Sequence, residues 1–156
     1  MMINNLFVEE CDPSSPDALE LTQYLFFELE AIYGKGTIEN FVEENAAFIY
    51  FIVIKSGALN IACGGVNHIN ETTAEIKRMY VKEELRGKGL SKLVLNSLEE
   101  FIKNKGYKRI ILETGGKQPE AINLYRKFGY SEIPCYARHS LDPESICFAK
   151  DLVFDK

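Results

Sequence analysis

Two neighbouring stretches, Ala74-Glu75-Ile76-Lys77-Arg78-Met79-Tyr80-Val81 and Arg86-Gly87-Lys88-Gly89-Leu90-Ser91, decide how this chain is read. The first follows a polar turn at Asn70 to Thr73 and reads as a strand. Beyond the second, Leu90, Leu93, Val94, Leu98, Phe101 and Ile102 mark one face of a long helix, with Lys92, Asn96, Glu99 and Lys103 largely opposite, and Lys105-Gly106 closes it. A glycine turn between strand and helix lets backbone N–H groups approach a ligand, and the helix N-terminus favours negative charge. The turn is therefore expected to bind a phosphate or pyrophosphate, an ordinary structural turn being the competing explanation. Neither familiar nucleotide pattern fits. A Rossmann turn needs a third glycine where Lys92 stands, and a P-loop needs a Gly-Lys-Ser/Thr triplet that the chain lacks.

Upstream, Asn4 to Glu10 reads as a first strand, stopped by Asp12-Pro13-Ser14-Ser15-Pro16. Ser15 is placed to cap a helix that begins at Pro16 and carries Leu19, Leu21, Leu25, Phe26, Leu29 and Ile32, broken by Gly34 and Gly36. Ile38, Phe41 and Val42 suggest a second, shorter helix. Ala47 to Ile54 reads as a buried strand, and the turn Lys55-Ser56-Gly57 leads to another over Leu59 to Val66. With Ala74 to Val81 these make an antiparallel meander.

Downstream come a strand at Arg109 to Glu113, a Gly115-Gly116 loop, and a helix opening near Pro119 with Ala121, Leu124, Tyr125 and Phe128 on one face. Tyr130 to Ile133 and Ile146 to Phe154 read as the last strands.

The 156 residues suffice for one domain with one sizeable core. A formal net charge of -5 argues against a nucleic-acid binder, because such affinity comes from a basic face neutralising phosphates. The apolar runs are too short to span a bilayer, and Met1 to Asp12 lacks a basic start and a cleavable apolar stretch, so a cytoplasmic protein is expected. Cys11, Cys63, Cys135 and Cys147 lie far apart along the chain and are expected to be free thiols. His68 and His139 are isolated and are given no metal.

Arg86, Gly89 and Ser91 resemble the pyrophosphate-binding turn of the GNAT superfamily of N-acetyltransferases, usually written Arg/Gln-x-x-Gly-x-Gly/Ala. Serine departs from the last position, but it is small and can donate to phosphate. Farther on, Gln118-Pro119-Glu120-Ala121-Ile122-Asn123-Leu124-Tyr125, continuing to Gly129-Tyr130, resembles the superfamily's Asn-x-x-Ala-x-x-x-Tyr segment ending in Gly-Phe/Tyr. Here Gln118 replaces the asparagine. The resemblance covers Ala74 to Tyr130 well and the preceding part only in element order.

It implies an α/β (α+β) fold: a single domain over residues 1–156, with a mixed, mostly antiparallel twisted sheet flanked by about four helices and a parallel strand pair splayed around the cofactor. It also implies acetyl-CoA as cosubstrate, no metal, and direct transfer of the acetyl group to a primary amine, most simply that of a small molecule. A protein lysine or N-terminal amine is an alternative acceptor, and a non-catalytic acetyl-CoA-binding regulatory module is an alternative of another class. A homodimer is plausible, with no residue pattern to support it.

By the same resemblance Met79, Tyr80, Val81, Arg86, Gly87, Lys88, Gly89, Leu90, Ser91 and Gln118 hold the cofactor. A backbone N–H near Val81 meets the oxyanion. Lys77, Arg78, Lys82, Lys88 and Lys92 offset the acidic average near the turn.

A protonated amine cannot attack a thioester. With a free pKa near ~10.4, keeping it neutral at pH 7 opposes about 4 to 5 kcal/mol, so a base or a desolvating site must help. Glu75 is the candidate base by its similarity to the glutamate-bearing strand of the histone-modifying branch; alternatively it is the solvent side of the strand, paired with Lys77 or Arg78. Tyr125 is the candidate acid, resembling the family tyrosine that faces the leaving sulfur; alternatively it is a core aromatic. Full proton donation from a phenol near ~10 to a thiolate near ~8.5 is uphill by roughly 2 kcal/mol, so a hydrogen bond to the thiolate serves as well as transfer. Glu28, Tyr33 and Tyr136 are the guesses for acceptor recognition.

Overall fold

The computed structural model describes residues 5–34 and 41–153. Strands β1 (Leu6–Glu10), β2 (Tyr50–Ser56), β3 (Leu59–His68), β4 (Thr73–Val81), β5 (Arg109–Gly115), β6 (Ser131–Ile133) and β7 (Ser145–Asp151) form one sheet in the order β1-β2-β3-β4-β5-β7-β6. Helices α1 (Pro16–Tyr33), α2 (Phe41–Ala46), α3 (Leu90–Asn104) and α4 (Pro119–Lys127) cover it. Every strand pair is antiparallel except β4 with β5. This is the expected α/β architecture.

Local chemistry sets most element boundaries. The Ser15 hydroxyl accepts from the Ala18 N–H at 3.3 Å and Pro16 opens α1, as the sequence predicts. The predicted second helix is α2, while Ile38 and Gly36 lie outside the described residues, as do Asn4 and Phe154 at the ends of the predicted first and last strands. Strand ends shift by up to a few residues, as where β7 ends at Asp151, and the start of β2 has a clear cause. The apolar run from Ala47 was read as strand, yet β2 starts at Tyr50 because the Ala47 and Phe48 N–H groups bond back to the carbonyls of Glu44 and Asn45. Short 3-10 turns at Glu83–Leu85 and Ala137–Leu141 carry no hydrophobic periodicity and were not anticipated.

The core lies mainly between the sheet and α3 and α4, around Ile52, Ile54, Val94, Leu98, Ile110 and Phe148. A smaller apolar cluster, with Ala18, Leu21, Phe48 and Phe51, sits under α1 on the other face. Gly64 sets the approach of α3 to β3: a Cβ there would stand 2.7 Å from Val94 and 2.8 Å from Leu98.

Two irregularities in β4 create the site. Cys63 pairs with Tyr80 and Gly65 with Lys77, so Gly64 alone faces Arg78 and Met79, which is a β-bulge. Arg78 occupies it at φ 64. The bulge changes which side chains point where: Ala74 and Ile76 face the α3 side before it, Met79 and Val81 after it, and Tyr80 turns toward α1. Second, β4 and β5 pair only from Thr73↔Arg109 to Glu75↔Ile111. Beyond that point the two strands separate, giving the splayed parallel pair that the resemblance implies.

The four-thiol expectation is corrected. Cys135 and Cys147 form a disulfide, while Cys11 and Cys63 remain thiols. The spacing argument looked for cysteines close along the chain. Antiparallel pairing of β6 with β7, which sets Ile133 opposite Cys147, brings these two together in space.

Among the described residues no helix is long and apolar enough to cross a membrane.

Candidate active site

A cavity of about 560 Å³ opens where β4 and β5 part. Leu25 and Ile32 of α1, Met79 and Val81 of β4, Val94 of α3 and Tyr125 of α4 contribute to its walls. Of the residues expected to hold a cofactor, Met79, Tyr80, Val81, Arg86, Gly87, Gly89, Leu90, Ser91 and Gln118 all line it, and Lys88 does not.

The turn has the properties an anion needs. Gly87 and Gly89 lie at φ +81 and +83, a region that side chains rarely adopt, and a Cβ on either would meet nothing within 4 Å. No side chain caps the N-terminus of α3, which starts directly after Gly89, so its first N–H groups remain available. Lys92 and Lys117 line the same cavity and add positive charge; Lys117 was not singled out because it precedes the Gln118 motif and belongs to no pattern. This donor set fits a pyrophosphate.

Arg86 is engaged elsewhere. Its guanidinium donates to the Val81 carbonyl at 3.0 Å and pairs with Glu28 at 2.7 Å, and Glu28 raises its pKa against the opposing effect of burial. It thereby ties α1 to the turn. Arg78, expected to add charge near the turn, is instead buried in the bulge, where it donates to Glu44 at 2.6 Å and Asn45 at 3.0 Å. Burial lowers its pKa and the Glu44 carboxylate counters that effect. The Gln118 side chain accepts from the Thr114 hydroxyl and the Gly115 N–H at 3.1 and 3.0 Å, so it also fixes the loop between β5 and α4.

Tyr125 is a core aromatic that also borders the cavity. Its ring packs in the core, edge-on to Tyr130 at 5.8 Å and tilted against Phe148 at 6.0 Å, while its hydroxyl reaches the cavity and lies 3.6 Å from the Met79 sulfur. Burial, and then the charge of Glu113, push its pKa above the ordinary phenol range. Tyr125 therefore stays a protonated donor at neutral pH.

Glu75 does not line the cavity. It is 6% exposed, which removes the solvent-side reading, and it pairs with neither Lys77 nor Arg78. Its carboxylate accepts from the Tyr136 hydroxyl at 2.7 Å on the α1 face of the sheet. Of the residues guessed for acceptor recognition, Glu28 lines the cavity, Tyr136 sits on Glu75, and the Tyr33 hydroxyl accepts from the Lys117 N–H at 3.1 Å.

Sequence reasoning missed Glu113 and His139. The His139 Nδ1 lies 2.8 Å from the Glu113 carboxylate, which also accepts from the Ser145 hydroxyl at 3.1 Å. Nothing in the sequence signals this contact, which joins β5 to a turn between β6 and β7.

A splayed parallel strand pair, a glycine turn at an uncapped helix start and a buried tyrosine bordering the cavity are the arrangement that the resemblance to coenzyme A-dependent acyltransferases implies. The Acetyltransferase (GNAT) family matches residues 8–130, and the chain belongs to it as an acetyl-CoA-dependent N-acetyltransferase. It is 30% identical over 105 residues to an IAA acetyltransferase of Azospirillum brasilense, spanning 67% of this chain and 69% of that protein. An uncharacterized N-acetyltransferase of Bacillus subtilis is 33% identical over 92 residues, 58% of this chain and 61% of its own length. The fold is similar to that of a GNAT family acetyltransferase from Elizabethkingia anophelis with acetyl-CoA bound, at TM-score 0.74 and 18% identity, covering 95% of this chain and 99% of that one.

Proposed function

We propose that this enzyme moves the acetyl group of acetyl-CoA to the primary amine of a small molecule. The observation that carries the reading is the gap beyond Glu75↔Ile111: one side opens on the cavity with Tyr125, and the other carries the carboxylates Glu75 and Glu113. Acetyl-CoA supplies an activated thioester when bound. The N–H groups at the start of α3, with Gly87, Gly89, Ser91 and Lys92, hold its pyrophosphate, and the cavity walls formed by Met79, Val81 and Leu124 hold its arm. Tyr125 donates to the leaving sulfur.

Two carboxylates near one opening favour a cationic acceptor, since Coulomb attraction at close range in a half-buried site is far stronger than in water. Tyr136 and His139 contact these two carboxylates and so narrow access to them, which favours a small molecule over a folded protein surface. The small-molecule reading also agrees with the similarity to proteins named IAA acetyltransferases, the one from Azospirillum brasilense being 30% identical.

The test is thiol release from acetyl-CoA against a panel of amines, amino acids, polyamines and basic peptides, run in parallel with Tyr125→Phe. Small amines should give the fastest release. The variant should lose about 100-fold in kcat while its acetyl-CoA Kd changes less than about threefold. Preference for peptides would favour the protein-acceptor reading; tight cofactor binding with no turnover on any acceptor would favour a regulatory module.

A further inference from the structure

We infer that His139, oriented by Glu113, is the base that takes the proton from the acceptor's ammonium on the α1 face of the sheet; the inference rests on the amine-acetylation reading above.

Its first support is position. The pairing of β4 with β5 ends at Glu75↔Ile111, and Glu113 stands two residues beyond Ile111, on the same face of β5 and at the start of the gap. Leu112, between them, points into the core under α3. His139 is bound to Glu113, so its ring is at the α1-side mouth of the gap. The Glu113 charge is felt at Tyr125, which lies on the cavity side. Base and acid thus flank the gap from opposite faces, as direct transfer between an incoming nitrogen and a departing sulfur requires.

The second support is how firmly the ring is held. The His139 side chain is 14% exposed, and its Nδ1 is 2.8 Å from Oε2 of Glu113. A carboxylate at Nδ1 selects the tautomer with its proton there, leaving the Nε2 lone pair free to accept another. Tyr136 meets the imidazole edge-on at 5.4 Å and donates to Glu75 at 2.7 Å. Arg138 reaches Glu44 at 3.3 Å. Three side chains within four residues are each held by a carboxylate from a different element, β4, β5 or α2. Glu75 in this arrangement fixes the segment that carries the base by accepting from Tyr136.

The charged and titratable groups around the imidazole are Glu113 from β5, Glu75 and Lys77 from β4, Glu44 from α2, and Tyr136 and Arg138 from its own segment. Burial lowers the Lys77 pKa, with Glu75 opposing that shift. Lys77 and Arg138 offset part of the negative charge that Glu113, Glu75 and Glu44 place there.

The proton accounting closes. An N–H bond of the ammonium breaks and its proton goes to Nε2 of His139, giving an imidazolium that Glu113 stabilises. The freed nitrogen pair forms the C–N bond to the acetyl carbon, and the C–S pair departs with sulfur. Tyr125 gives that sulfur its hydroxyl proton and regains one from the nitrogen. His139 then releases its proton to water.

Two measurements test this. In the free wild-type protein at about pH 8, nitrogen-15 correlation spectra of His139 should show Nδ1 protonated and Nε2 bare, and Glu113→Gln should shift the tautomer balance. An Nε2-protonated wild-type tautomer overturns the proposal. The second uses isosteric amines at about pH 7: phenethylamine, which is protonated there, and O-benzylhydroxylamine, which is neutral. His139→Gln should lose about 100-fold in kcat with the first and under about threefold with the second, and Glu113→Gln about tenfold with the first only, at unchanged coenzyme A affinity. Equal losses on both amines, or none, would remove His139 as the base while leaving amine acetylation standing. If wild type acetylates neither probe nor any amine of the panel, the amine reading falls and the base with it.

Discussion

The two faces of the gap between β4 and β5 are assembled by different kinds of contact. On the α3 side, the glycine turn is six consecutive residues, Arg86 to Ser91, whose backbone conformation follows from its glycines and from the helix that begins there. On the α1 side the groups come from across the chain: Tyr136 bonds to Glu75 over 61 residues and Arg138 to Glu44 over 94. A local motif specifies its geometry through φ, ψ and a helix end, whereas a side-chain constellation exists only once the whole sheet has formed.

Gly89→Val gives the largest separation of the two faces. A β-branched residue at φ +83 is strained, and its side chain enters the open space where phosphate oxygens belong. Coenzyme A affinity measured by calorimetry should fall about 100-fold, equivalent to about 2.7 kcal/mol. The His139 tautomer in the same variant should not move. A change on both faces would mean that they are not independent.

The legibility of the sequence divides along the same line. The strand before the glycine turn, α3 with its apolar stripe, and the helix from Pro119 were all readable, because periodicity and capping act within a few residues. The residues proposed to hold the cofactor came with them, since Met79, Gly89 and Ser91 sit on those elements. What escaped needed distance in sequence to collapse. Cys135 and Cys147 meet through the β6–β7 pairing, and His139 finds Glu113 across strands joined by α4. Glu75 was singled out as a candidate base, with the solvent side of the strand as the alternative. Its buried position reflects residues 136–139 folding over it, which no alternation pattern in β4 could show.

Glu75→Gln sharpens the comparison at the second face. The amide can still accept from Tyr136, so the segment should remain in place, while one negative charge is lost beside the gap. For phenethylamine, kcat/KM should fall about tenfold, equivalent to about 1.4 kcal/mol. The neutral O-benzylhydroxylamine and coenzyme A affinity should be nearly unaffected. A loss much larger than tenfold on phenethylamine, with the neutral amine unaffected, would instead show that Glu75 acts directly in proton transfer.

Reduction of Cys135–Cys147 should have the smallest effect and tests how the α1 face is held. The disulfide anchors residue 135 immediately before Tyr136, so breaking it frees one end of the segment that bears His139. The three contacts to Glu75, Glu113 and Glu44 remain, and they bind the segment directly over the carboxylates. Loss of a constraint beside intact contacts should raise the acceptor KM about threefold, equivalent to roughly 0.7 kcal/mol, with kcat and coenzyme A affinity close to the oxidised values. Kinetics before and after a reductant, repeated on Cys135→Ser as a control for reductant effects, provide the measurement. Large loss of turnover on reduction would make the disulfide, rather than the carboxylate contacts, the element that keeps the α1 face assembled.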